Sequence, residues 1–181
     1  GRASSRFAQF VVFLVLARAL SPTEFGWFGV ITSAMMLAGI LGSLGLRQSF
    51  AYRIGQGTIS PGAATATGLA VWPILAVVSS GVLFLLMQNS SPLGTTSTAI
   101  LLFSGVSATL SLYSLQGVYL GKGQIRHFTL TENLPRTLLM LTVLALAQLG
   151  AINLTSAIWA HIGTLAVVTP FALWLATRDG T

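Results

Sequence analysis

The sequence predicts an all-α integral membrane protein, a single bundle of six transmembrane helices spanning residues 1–181. Three observations carry this. The chain is 54% hydrophobic and only 7% charged, with a mean hydropathy of +0.83, whereas a soluble domain carries about 25% charged residues. Nine basic and three acidic side chains cannot cover a water-facing surface, so most of the surface meets lipid. The charges are also clustered: Phe25 to Leu46, Ile54 to Gly121 and Thr137 to Thr177 contain no Asp, Glu, Lys or Arg. Finally, the basic residues fall almost entirely on one side once the spans are drawn.

A helix needs about 20 apolar residues to cross the hydrocarbon. The first charge-free stretch therefore holds one crossing and the other two hold a pair each. With the N-terminal run from Phe7 to Leu20, spans are expected near 4–20, 23–46, 62–87, 95–120, 129–149 and 156–176. The first is short, in a chain that begins with Gly rather than Met. Arg2 and Arg6, the apolar run and Ala17-Arg18-Ala19 imitate a cleaved signal peptide. Five further spans argue against cleavage, which would leave an odd number of crossings. The second span opens with Ser21-Pro22-Thr23-Glu24, a cap, a first-turn proline and a glutamate three residues on. Ser60-Pro61 and Ser91-Pro92 repeat the cap-then-proline pattern for the third and fourth spans, which the polar turn Gln88 to Gly94 separates. Gly150 to Thr155 separates the last two. Pro73 and Pro170 fall inside spans, where each removes a helical hydrogen bond; a hinge and a tolerated bend in a packed bundle are both open readings.

With six crossings, both termini, residues 47–61 and residues 121–128 share one side with the polar start of the fifth span. That side carries Arg2, Arg6, Arg47, Arg53, Lys122, Arg126, Arg136 and Arg178, and the other carries only Arg18, beside Glu24. Cytoplasmic loops are the ones enriched in Lys and Arg, so both termini are expected in the cytoplasm. The net charge of +6 is thus a topology signal. A nucleic-acid partner is not expected, because no basic run is interleaved with stacking aromatics.

Catalysis is not expected either. Glu24, Glu132 and Asp179 fall far apart, and no paired carboxylate, metal-binding or nucleophile motif is present. Without cysteine there is no thiolate site, and neither a metal nor a cofactor is implied. His161 is the one ionisable group deep in an expected span, a position that is functional by default; a neutral imidazole bonded to Gln148 or to a serine of the fourth span is the equal alternative. Ser104, Ser107, Ser111 and Ser114, spaced three, four and three, line one helix face. They form either a polar cavity wall or a small-residue packing surface. Arg47, Arg53, Arg126 and Arg136 gather at the cytoplasmic mouth, where Arg grips phosphate bidentately or anchors to acidic lipid. Asn89-Ser90-Ser91 and Asn153-Leu154-Thr155 match the glycosylation pattern.

Several stretches resemble the polysaccharide and oligosaccharide flippases of the multidrug/oligosaccharidyl-lipid/polysaccharide (MOP) exporter superfamily. They are Leu16 to Gly26 at the junction of the first two spans, Gly42 to Arg53 closing the second, and Gly117 to Arg136 leading into the fifth. The resemblance covers the N-terminal half of that family. It implies one lobe of a two-lobe, alternating-access flippase for a lipid-linked oligosaccharide on a polyprenyl pyrophosphate carrier, in a bacterial cytoplasmic (inner) membrane during surface polysaccharide biosynthesis. A second six-helix lobe, from the same or another chain, is implied as partner beside membrane lipid. On this reading Arg18, Arg47, Arg53 and Arg136 contact the headgroup, while Ser107, Ser111 and Gln116 line the cavity. The alternatives are a small-molecule exporter of the same superfamily and a non-transporting scaffold for a polysaccharide synthesis complex.

Overall fold

In the computed structural model, which describes residues 2–178, every regular element is a helix. In chain order these are α1 (Arg2–Ala19), α2 (Pro22–Gly42), α3 (Leu46–Gly55), α4 (Pro61–Met87), α5 (Thr95–Gly121), α6 (Ile125–Gln148) and α7 (Leu154–Arg178). Asp179 and the last residues of the C-terminal segment lie outside the described residues, as does Gly1. Four helices, α2, α4, α5 and α7, are long and apolar enough to cross a membrane. The chain is therefore an all-helical, multi-pass membrane protein. Neither α1 nor α6 meets that measure: α1 carries Arg2, Arg6 and Arg18, and the first half of α6 carries Arg126, Glu132 and Arg136.

The helix starts follow local chemistry. At α2 both arms of a capping box close, with the Glu24 amide donating to the Ser21 hydroxyl at 3.3 Å and the Ser21 amide donating to Glu24 Oε2 at 3.0 Å. At α4 the Ala63 amide donates to the Ser60 hydroxyl at 3.2 Å. The expectation for Ser91-Pro92 is corrected. Helix α5 begins only at Thr95, because Gly94 (φ 75°) turns the chain first, and the Ser91 hydroxyl serves the turn by accepting from the Leu93 amide. Asn153, read as a glycosylation match, caps α7: its side-chain oxygen accepts from the Ser156 amide at 2.8 Å.

Two further boundaries differ from expectation. The second span stops at Gly42 rather than residue 46, since Leu44 (φ 47°) and Gly45 (φ 76°) both adopt left-handed backbone and break the helix. The segment expected as a loop then forms α3, whose Leu46, Phe50 and Ile54 recur every four residues and pack against Ala64 and Val118. Helix α6 starts at Ile125, four residues earlier than expected, and continues through Pro135. Helices α4 and α7 likewise continue through Pro73 and Pro170.

Helix α5 is the axis of the bundle, with α2, α3, α4, α6 and α7 packed around it. The main core joins Leu16, Phe28, Ile31 and Met35 to Leu102, Val106 and Ile158, and a second gathers around Tyr119, Val168 and Ala172. The exposed faces of α2 and α4 present Leu37, Leu41, Ile74, Val78 and Leu85, as lipid contact requires. Helix α1 packs on α6 and meets α2 through the edge-to-face pair Phe13–Phe25, centroids 6.0 Å apart. Among the described residues, α4 and α7 make at most a marginal contact, and a small recess opens between them beside α5.

Candidate anion site at the charged end of the bundle

Contacts gather one set of helix ends together: the start of α1, all of α3, the end of α5 and the start of α6. At their centre is Arg47, in the first turn of α3. Its guanidinium lies over the Tyr113 ring of α5, 5.7 Å from the centroid, and over the Phe128 ring of α6, at 5.0 Å. Each such stack contributes about 0.5–2 kcal/mol, depending on desolvation. Among the described residues, the Arg47 guanidinium has no protein hydrogen-bond acceptor.

Helix α6 supplies the rest. Phe128, Glu132 and Arg136 follow one another at four-residue spacing and so share a face. Arg136 Nη1 donates to the Ser5 hydroxyl of α1 at 3.4 Å, and Tyr113 lies in the combined field of Arg47, Arg136 and Glu132. No ion pair of 4.0 Å or less joins Glu132 to either arginine among the described residues. The cluster thus holds two cations and one carboxylate, half-buried, beside two aromatic rings.

The structure brings together only two of the four arginines expected at a headgroup. Arg53 is exposed on α3, and Arg18 is exposed at the other end of the bundle. Gln116 is buried three residues beyond Tyr113 on α5, on the Tyr113 side of the helix. At about 100° per residue, Ser111 points about 140° away from Gln116, toward the gap between α4 and α7. There a cavity of about 40 Å³ is lined by Ser111, Ser114, Thr65, Trp72, Thr169 and Phe50. It holds little more than a water molecule. Its hydroxyls are already engaged: Ser111, Ser114, Thr65 and Thr169 each donate to a carbonyl of their own helix at 2.9–3.0 Å. Ser107 is buried, its carbonyl accepting from Trp72 Nε1 at 2.9 Å while its hydroxyl has no partner. His161 is half-buried on α7 and has no hydrogen-bond partner among the described residues.

The sequence reading missed Tyr113, Phe128, Glu132 and Ser5 as members of the site. The four-residue spacing of Phe128, Glu132 and Arg136 was the available signal. Nothing in the sequence could pair α1 with α6. Comparison with known protein families, curated proteins and solved structures finds no match for this chain.

Proposed function

We propose that this chain is one lobe of an alternating-access flippase that moves a lipid-linked saccharide across the cytoplasmic membrane, with six spans and both termini cytoplasmic. The observation that carries the reading is the Arg47 cluster. A guanidinium set over the rings of Tyr113 and Phe128, with Arg136 acting on the same tyrosine, is suited to bidentate capture of a phosphate. A saccharide phosphate cannot enter hydrocarbon unaided, since its charges cost several kcal/mol there. A polar recess against a second lobe removes that barrier while the prenyl tail stays in lipid. The reading also accounts for α1 and α6, the two long helices with too many charges to face lipid all round: in a membrane, such residues face a water-filled cavity. The resemblance of Leu16 to Gly26, Gly42 to Arg53 and Gly117 to Arg136 to the oligosaccharide flippases supplies the substrate class.

The test is genetic and chemical together. Deleting the coding gene should accumulate a lipid-linked saccharide on the cytoplasmic face and deplete surface glycan. The native gene should restore both, and Arg47→Ala, at equal membrane level, should not. Normal surface glycan in the deletion strain would overturn the reading.

A further inference from the structure

The outer face of α6 carries polar groups at the depth of lipid. Near Phe128 this helix shares a core with Leu112, Leu115 and Tyr119 of α5, and near Val143 it shares one with Leu101, Leu102 and Val106. The stretch between therefore runs alongside a helix long and apolar enough to cross the membrane. Arg126, Thr129, Asn133 and Thr137, spaced three, four and four, share one face of α6. Arg126 and Thr137 are exposed there, and Thr129 and Asn133 are half-buried. We infer, resting on the flippase reading, that this face is a saccharide subsite: it holds the sugar ring next to the phosphate, while Arg47 and Arg136 hold the phosphate itself.

The face suits a hydroxyl-rich ligand. An open concavity of about 380 Å³ is bounded by Ile125, Arg126, Thr129, Leu130 and Asn133, and small-molecule sites run from about 300 to 1,000 Å³. Thr137 satisfies itself, donating to the Asn133 carbonyl at 3.3 Å. Thr129 and Asn133 do not: among the described residues neither side chain has a hydrogen-bond partner. A carboxamide both donates and accepts, and against hydrocarbon it is left uncompensated. Sugar hydroxyls also donate and accept, so one amide serves two neighbouring hydroxyls. Leu130 and Ile125, both exposed, offer apolar surface to the C–H face of the ring.

Arg136 joins this face to the anion site. At about 100° per residue, Arg136 lies about 80° around α6 from Phe128, and Asn133 about 140°. Arg136 also follows Asn133 by three residues, a spacing that makes them neighbours on the helix surface. It thus stands between Phe128, over which the Arg47 guanidinium lies, and the face that carries Asn133. A sugar bonded to a phosphate at Arg136 falls over the Asn133 side of the helix.

Sulfate and glucose 1-phosphate separate the two halves of the site, since both are dianions at about pH 8 and only one carries a sugar. Calorimetry on the purified full chain in detergent should find glucose 1-phosphate bound about tenfold more tightly than sulfate, the worth of one good hydrogen bond. Asn133→Leu should abolish that preference and leave sulfate affinity unchanged, and Asn133→Gln, which keeps the amide, should retain most of it. In the same detergent, glucose 1-phosphate should slow the reaction of Leu130→Cys with a polar thiol reagent, and sulfate should not. No preference in the native chain, or a preference that Asn133→Leu keeps, overturns the subsite while the anion site stands. Equal slowing of Leu130→Cys by sulfate does the same, since it makes Arg126 a second anion contact. No sulfate binding by the native chain, or binding that survives Arg47→Ala, overturns the anion site and the subsite with it. Normal surface glycan in the deletion strain overturns the flippase reading, whatever the affinities.

Discussion

Gly117 of α5 lies directly against the backbone of Arg47: a β-carbon at position 117 would fall 2.7 Å from the Arg47 carbonyl oxygen and 2.8 Å from its Cα. One turn on, a β-carbon at Gly121 would fall 2.6 Å from Ile54 Cβ. The two glycines make a shallow seat for α3, and the seat sets where the Arg47 guanidinium can reach. Backbone cannot yield as a flexible side chain would. Gly117→Ala should therefore push α3 outward, cost about 1–3 kcal/mol of stability as overpacking and weaken sulfate binding. Gly81→Ala is the contrast, since nothing lies within 4 Å of a β-carbon there. Thermal melting in detergent should separate the two, with Gly81→Ala at or above the native midpoint.

The arginines separate by substitution with lysine, which keeps charge but lacks the planar fork. Arg47→Lys and Arg136→Lys should each lower sulfate affinity by about tenfold, the loss of one charge-assisted bond. Arg53→Lys should be silent, because Arg53 is exposed and outside the cluster. Equal effects at all three positions would mean that general positive charge, rather than the aromatic-held fork, binds the anion.

Tyr119 is fully buried, and its hydroxyl donates to the Ala172 carbonyl, tying the end of α5 to α7. Tyr119→Phe keeps the ring and removes the bond. The expected cost is about 1 kcal/mol, read as a lowered melting midpoint with unchanged sulfate affinity at pH 8.

The chain contains no cysteine, so single cysteines report sidedness without background. Asn89→Cys and Ile125→Cys, at exposed positions in the turn after α4 and at the start of α6, should label from opposite faces of the membrane. Labelling of both by one impermeant reagent would rule out the six-span arrangement.

Much of the helix inventory was legible because lipid imposes a length and an apolarity that the sequence must display. The run Pro61 to Met87 and the Ser21–Glu24 cap are read directly from residue types. What escaped was decided by packing. The break at Leu44 required a non-glycine residue in left-handed backbone, which no propensity announces, and it turned the expected loop into α3. The four serines of α5 fitted a polar wall or a small-residue packing surface equally in pattern, and only the structure shows Ser104, Ser111 and Ser114 turning their hydroxyls onto carbonyls of their own helix. The arginines at the charged end looked alike. Only the rings of Tyr113 and Phe128 distinguish Arg47 from Arg53, and those rings come from helices distant in the chain.

The break at Leu44 and Gly45 has a mechanical consequence. Two successive left-handed residues leave no continuous helical ladder between α2 and α3. Through Phe50, Ile54 and the glycine seat, α3 is instead fixed to α5. Arg47 is thus carried by the central helix of the bundle rather than by the helix that precedes it in the chain, and its bearing relative to Tyr113 is set by the α3–α5 contact.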